Sequence, residues 1–197
     1  MPAVLFPSPV TDTALSVRGH ERCAKGGHMQ PPYYFPHKRE ESYPPVERVR
    51  RWFEKRGDVV EARDVQDNSD YYYKGDIMVI RGDGSTQFVE VKAEPSYTRH
   101  TTENLAIERY SDIAKHSPGG PWSTQADFYV HIYGDGLMVV MNRKRLVHWI
   151  DSELERDKHT FTYREIPNHG WVTGTYLIPR GRVRAALGDW LREYDLD

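Results

Sequence analysis

Two apolar segments joined by a glycine-rich turn constrain the fold more than any other feature of the sequence. Residues 77–80 are all apolar, residues 88–91 are apolar except for Glu90, and Gly82-Asp83-Gly84 lies between the two segments. Short apolar runs around such a turn predict a β-hairpin. Because both faces of each run are apolar, we expect the hairpin in a central sheet covered on both sides, as in α/β proteins.

Three charged residues within these segments need an explanation, namely Asp76, Glu90 and Lys92. Glu90 and Lys92 are two residues apart, so on a strand they project from the same face. If the turn has three residues, Arg81 pairs with Ser85, and Asp76 then lies directly opposite Glu90. A four-residue turn would shift the register by one residue and place Asp76 on the other face.

Two opposed carboxylates repel each other unless a cation or a proton lies between them. Mg²⁺ prefers oxygen ligands, uses one or two carboxylates and keeps several waters. Such an ion activates water and neutralises charge on a phosphate, which is the chemistry of phosphodiester hydrolysis. The ammonium of Lys92 would orient the nucleophile and stabilise the transition state, and a role as base stays open. The alternative interpretation is a cross-strand salt bridge in which Lys92 neutralises one acid.

Composition restricts the class of protein. The chain has 197 residues and a formal net charge of −2, so we expect one globular domain that meets nucleic acid only through local basic patches. The single cysteine excludes an internal disulfide. The sequence has neither an apolar stretch of membrane-spanning length nor a recognisable secretion signal, which predicts a cytoplasmic protein that does not enter a membrane.

The remaining elements follow from periodicity. Residues 1–45 carry eight of the 13 prolines and predict an N-terminal extension, followed by a catalytic domain over residues 46–197. Residues 101–116 fit either a helix or a strand. Helices are predicted from Pro45 to Gly57, over 143–157 and over 182–194, and strands over 59–65, 126–133, 137–141 and 171–179.

A basic first helix, then Gly75-Asp76-Ile77, then Glu90-Val91-Lys92 resembles the PD-(D/E)XK, or restriction-endonuclease-like, nuclease superfamily. Residues 102–108 and 123–129 look like a group of phage and bacterial members. The resemblance covers roughly residues 46–133. It departs from the nominal motif at Gly75, where that motif has proline.

The resemblance implies an α/β fold with an αβββαβ core, in which helices flank a mixed central sheet. It also implies Mg²⁺-dependent cleavage of DNA, with Mn²⁺ as a substitute. Asp76 and Glu90 would be metal ligands, Val91 a further ligand position, and Lys92 the catalytic lysine. Glu47 on the first helix is a candidate additional acid, and so is Glu108, which would reach the site as a strand residue and face solvent as a helix residue.

Within this class we expect an endonuclease, with resolution of Holliday junctions or other branched DNA favoured because no separate sequence-reading domain is evident. Restriction-type, homing and exonuclease activities stay open, and so does a non-catalytic DNA-binding module with the same fold. A homodimer in a bacterial cell or phage-infected host is expected by analogy. The candidate DNA-binding residues are Arg48, Arg51, Lys55, Arg143, Lys144 and Arg145.

Overall fold

The computed structural model describes residues 36–71, 73–94 and 96–196, so most of the predicted N-terminal extension lies outside the described residues. The described helices are α1 (Pro36–Glu54), α2 (Arg143–Arg156) and α3 (Arg180–Leu187). The described strands are β1 (Val59–Asp64), β2 (Ile77–Arg81), β3 (Thr86–Glu94), β4 (Asn104–Asp112), β5 (Ser117–Pro118), β6 (Phe128–Tyr133), β7 (Leu137–Asn142), β8 (Thr162–Asn168), β9 (Trp171–Pro179) and β10 (Leu191–Asp195).

The strands form two sheets. The central sheet has the order β1-β2-β3-β6-β7-β10, with β3 and β6 parallel and the other neighbours antiparallel. The second sheet has the order β5-β4-β9-β8 and is antiparallel throughout. The prediction of an α/β fold with a mixed central sheet and flanking helices is confirmed.

Both faces of the central sheet are covered, as the apolar hairpin arms predict. On one face Val46, Val49 and Phe53 of α1 pack in a buried cluster with residues that include Val89. On the other face Tyr129 belongs to a second cluster, to which β4, α2 and α3 contribute side chains. Each large apolar side chain buried in this way stabilises the fold by about 1.5–3 kcal/mol.

Two predicted helix boundaries are wrong. Helix α1 begins at Pro36 rather than after Pro45, and it contains Pro44 and Pro45. The predicted helix over 182–194 ends at Leu187, and β10 follows. Pairing of β10 with β7 along five residues gives its backbone partners in the sheet, which outweighs the local helical pattern.

Residues 101–116, which fit a helix or a strand, mainly form β4. In chain order β3 is therefore followed by β4 and β5, at the place where the expected αβββαβ core has a helix. Strands β5 and β8 have no counterpart among the predicted elements. No helix in the described ranges is long and apolar enough to cross a membrane.

Candidate active site

The hairpin adopts the register that a three-residue turn requires. Ile77 lies opposite Val89 in the ladder of β2 and β3, and the Arg81 N–H donates to the Ser85 carbonyl at 2.9 Å. The predicted three-residue turn is confirmed. Beyond Ile77 the ladder is irregular, since the Asp76 N–H donates to the Val89 carbonyl, but the charge of Asp76 contributes to the raised pKa of Glu90, so the two carboxyls lie close together.

Asp76 is fixed by three hydrogen bonds of 2.8 Å each. Its backbone N–H donates to the Val89 carbonyl, and its own carbonyl accepts from the Val65 N–H. Its carboxylate Oδ2 accepts from the Val91 N–H. The side chain is therefore held against β3 just where β2 begins.

Gly75 makes this close approach of β2 to β3 sterically possible. Its φ is +134°, a region that L side chains rarely adopt, and a Cβ placed on it would lie 2.7 Å from the Val89 carbonyl oxygen. Proline, which holds φ near −65°, cannot adopt this conformation. Position 75 therefore requires glycine for a local steric reason.

Burial raises the pKa of both carboxyls above their ordinary values. For Asp76, burial is the main cause, and the nearby Asp64 adds to it, while the Val91 amide opposes it. For Glu90, burial again comes first and the charge of Asp76 second. The pair therefore disfavours two negative charges, and a cation between them would relieve both effects.

Lys92 projects from the same face of β3 as Glu90. Over the described ranges, its ammonium makes no hydrogen bond and no ion pair within 4.0 Å. It still acts at longer range, since its charge lowers the pKa of Glu90. The salt-bridge interpretation is therefore wrong for this structure, and the ammonium is available to a bound group.

Glu108 reaches the site because residues 104–112 form a strand. Its negative charge contributes to the raised pKa of Glu90. Gly119 leaves room for it, since a Cβ at that position would lie 2.6 Å from Glu108 Oε1. The strand alternative thus brings this acid to Glu90.

Glu47 lies elsewhere. Its carboxylate accepts hydrogen bonds from Arg50 and Arg51 of its own helix, and these bonds lower its pKa to about 2. Helix α1 packs on the face of β3 that bears Val89, whereas Glu90 projects from the opposite face. The structure does not bring Glu47 together with the other predicted site residues.

The candidate DNA-binding residues divide into two groups. Arg143 is half-buried, and its Nε donates to the Ala126 carbonyl at 2.7 Å. Arg145 lies over the ring of Trp190, with its guanidinium carbon 4.2 Å from the ring centroid. The other candidates are exposed, namely Arg48 and Arg51 on α1, Lys55 directly after α1, and Lys144 and Arg145 on α2.

Strand β6 contributes polar residues that the sequence analysis missed. In the parallel ladder Tyr129 pairs with Glu90, and His131 pairs with Lys92. Among the residues that the structure describes, the two ring nitrogens of His131 and the hydroxyl of Tyr129 have no hydrogen-bond partner. Burial lowers the pKa of His131 to about 3, so its imidazole is neutral. The sequence feature that could have identified these two residues is the alternation of polar side chains within a buried strand.

A cleft of about 330 Å³ opens beside this cluster. Lys92, Glu94 and His131 line it from the central sheet, and Asn104 and Glu108 line it from β4. Glu94 continues the alternation of Glu90 and Lys92 along β3, which is the signal that would have identified it. Lys92, the predicted catalytic lysine, therefore lines a cavity of about the size of one nucleotide.

The oxygen atoms at the end of β2 fit a hard divalent cation. Asp76 and Glu90 supply carboxylates, and the Val91 carbonyl points to the same side of β3 as its N–H, which donates to Asp76. In the part of the chain that the structure describes, no three His, Cys, Asp or Glu side chains are grouped to hold a metal ion. Mg²⁺ needs only one or two carboxylates with waters.

Comparison with known proteins found no matching family model, no matching curated protein and no matching solved structure.

Proposed function

We propose that this protein is a Mg²⁺-dependent nuclease that hydrolyses phosphodiester bonds in DNA. The observation that carries the proposal is the proximity of the Asp76 and Glu90 carboxyls, through which the charge of Asp76 raises the pKa of Glu90. Two half-buried carboxyls that lie close together with raised pKa values are a costly arrangement without a bound cation. Within the described ranges Lys92 makes no ion pair with either acid, and its charge offsets that cost only in part and from a distance.

Each residue has a separate role in this proposal. Asp76, Glu90 and the Val91 carbonyl would hold the metal, and the Val91 N–H fixes the orientation of the Asp76 carboxylate. When bound, the metal supplies an activated water and neutralises phosphate charge. Lys92 would donate hydrogen bonds to the reacting phosphate and stabilise the charge that develops there. Glu108, on β4, would help to raise the pKa of Glu90 through its negative charge.

The preferred substrate in this proposal is branched DNA, such as a four-way junction, and the acting form is a homodimer, since cutting two strands calls for two sites. Mn²⁺ would substitute for Mg²⁺. The exposed basic residues of α1 and α2 would contact backbone phosphates.

The test is cleavage of a labelled DNA panel with and without Mg²⁺. The panel contains linear duplex, single strand, flap and four-way junction. Lys92→Ala is expected to lower turnover by about 100-fold or more, while DNA affinity changes little, since the lysine acts in the transition state. Lys158→Ala, in the exposed turn after α2, is the matched control and should cleave at the wild-type rate.

A second measurement separates the enzyme from a non-catalytic DNA-binding module. Calorimetric titration with Mg²⁺ should give binding to the wild type and much weaker binding to Glu90→Gln. A Lys92→Ala protein that cuts as fast as the wild type would overturn the mechanism. Wild-type protein that binds DNA but neither binds Mg²⁺ nor cleaves any member of the panel would favour the module.

A further inference from the structure

The cleft next to Lys92 is lined by neither Asp76 nor Glu90, the proposed metal ligands. Its walls come from β3 and β6 of the central sheet and from β4, β8 and β9 of the second sheet. Its volume of about 330 Å³ is at the lower end of small-molecule sites, which is enough for one nucleotide but not for a duplex. If the scissile phosphate lies at Lys92, a neighbouring part of the same strand must occupy or pass this cleft.

The charges in the cleft exclude a second phosphate. Beyond Lys92 the walls carry Glu94 and Glu108, and their proximity contributes to the raised pKa of Glu94. Ionised carboxylates only accept hydrogen bonds, so they favour a neutral group that donates N–H bonds. The exocyclic amine of a nucleobase is such a donor.

Neutral polar side chains of the same cleft also lack hydrogen-bond partners within the described residues. Within the described part of the chain, the side-chain amide of Asn104 has no hydrogen bond, and neither ring nitrogen of the fully buried His131 has one. Buried polar groups in folded proteins nearly always find partners. Together these groups offer donors and acceptors to the edge of a bound molecule.

The rest of the lining suits the faces of a planar ring. Ala106 and Leu177, which are paired across β4 and β9, form an apolar wall. Tyr97, which is 49% exposed, stands at the cleft and presents an aromatic face on which a base can stack.

We propose that this cleft binds one unstacked nucleobase with an exocyclic amine, adjacent to the phosphate at Lys92. This inference rests on the proposed nuclease function, and it specifies the substrate as a strand in which a base is free of the duplex. Single strands, flaps and junctions provide such bases, whereas continuous duplex must first extrude one.

The test is binding of fluorescent oligo(dC) and oligo(dT) to the full chain in EDTA, followed by anisotropy. The two pyrimidines differ at the exocyclic position, which is an amine in cytosine and a carbonyl in thymine. The wild type should bind oligo(dC) about tenfold more tightly than oligo(dT). Glu94→Gln keeps the shape of the side chain but weakens its acceptor, so it should reduce that ratio to about one, mainly by weakening oligo(dC).

Two further variants complete the design. Glu165→Gln changes an exposed acid on β8 that alternates with the cleft residue Ile166, and it should keep the wild-type ratio. Ala106→Phe fills the cleft and leaves the proposed metal ligands in place. It should bring the ratio of the oligo(dC) and oligo(dT) affinities to about one. Equal affinity of the wild type for the two oligonucleotides, or an unchanged ratio in Glu94→Gln, would overturn the inference.

The failure of this inference is distinguishable from failure of the nuclease proposal. Tighter binding of oligo(dC) than of oligo(dT) in EDTA, if it is lost in Glu94→Gln, supports base binding in the cleft even when no DNA is cleaved in Mg²⁺. Mg²⁺-dependent cleavage without any discrimination would leave the nuclease proposal standing and overturn the base-binding cleft.

Discussion

The Val91 amide donates a hydrogen bond of 2.8 Å to the Asp76 carboxylate. This bond replaces the ladder contact that β3 would make if β2 continued toward its N-terminus. At this point β3 bonds to a side-chain carboxylate instead of a backbone carbonyl of β2. The bond places a carboxylate oxygen, a possible metal ligand, beside the Val91 carbonyl. The end of the hairpin pairing is therefore what builds the candidate metal site.

Gly75 is predicted to be essential to that arrangement. Gly75→Ala combines a φ of +134° with a Cβ 2.7 Å from the Val89 carbonyl oxygen. We expect the free energy of unfolding to fall by about 1–3 kcal/mol from the backbone strain alone, with further loss from the clash. Chemical denaturation measures the change.

Gly57→Ala is the control for this variant, since a Cβ there meets nothing within 4 Å and φ is not positive. Its free energy of unfolding should stay within about 0.5 kcal/mol of the wild type. Equal stability of Gly75→Ala and wild type would show that β2 can shift away from β3 at no cost.

The hairpin and its register were predictable because they depend on local features. Turn length sets which residues of β2 and β3 face each other, and side-chain alternation then places Glu90 and Lys92 on one face. The sequence patterns around residues 59–65, 126–133 and 143–157 likewise correspond to β1, β6 and α2.

The remainder of the site depends on contacts between distant segments. Glu108 reaches Glu90 only because β4 pairs with β9, some 70 residues later in the chain. His131 faces Lys92 only because β6 lies parallel to β3. Local periodicity carries no information about such pairings, and for the same reason it missed that residues 191–195 join β7 as a strand.

Glu47 is predicted to contribute to α1 rather than to metal binding. Its hydrogen bonds with Arg50 and Arg51 explain its low pKa, and none of its contacts in the described chain involves Asp76 or Glu90. Glu47→Gln should therefore bind Mg²⁺ and cleave DNA like the wild type. Glu90→Gln is the positive control in both assays, and a Glu47→Gln protein with equally reduced Mg²⁺ affinity would restore Glu47 to the site.

The carboxyl pair predicts a loss of stability as pH rises in the absence of metal. A carboxyl whose pKa is higher in the folded than in the unfolded state binds more protons when folded, so the free energy of unfolding falls with pH through that interval. For Asp76 and Glu90 the interval starts near their ordinary values of 3.8 and 4.5 and extends upward to their raised folded-state pKa values.

Urea unfolding of wild type and Glu90→Gln between pH 5 and pH 8 in EDTA measures this effect. The wild type should lose more stability over the range than Glu90→Gln does. Mg²⁺ at pH 8 should restore part of the loss in the wild type, since a ligand that binds only the folded state stabilises it. Asp83→Asn, an exposed turn acid whose pKa is lowered, should not reduce the loss. Parallel pH profiles for wild type and Glu90→Gln would contradict the raised pKa.

Gly119 is predicted to position Glu108. A Cβ on Gly119 would lie 2.6 Å from Glu108 Oε1, so the flexible carboxylate must move, and 2.9 Å from the Ser111 backbone nitrogen, so the backbone must also shift slightly. Gly119→Ala should therefore lower the rate of Mg²⁺-dependent cleavage to about that of Glu108→Gln, with a much smaller effect in a Glu108→Gln background. Gly57→Ala is again the open-space control. Additive effects in the double variant would mean that Gly119 acts on the site by another route than Glu108.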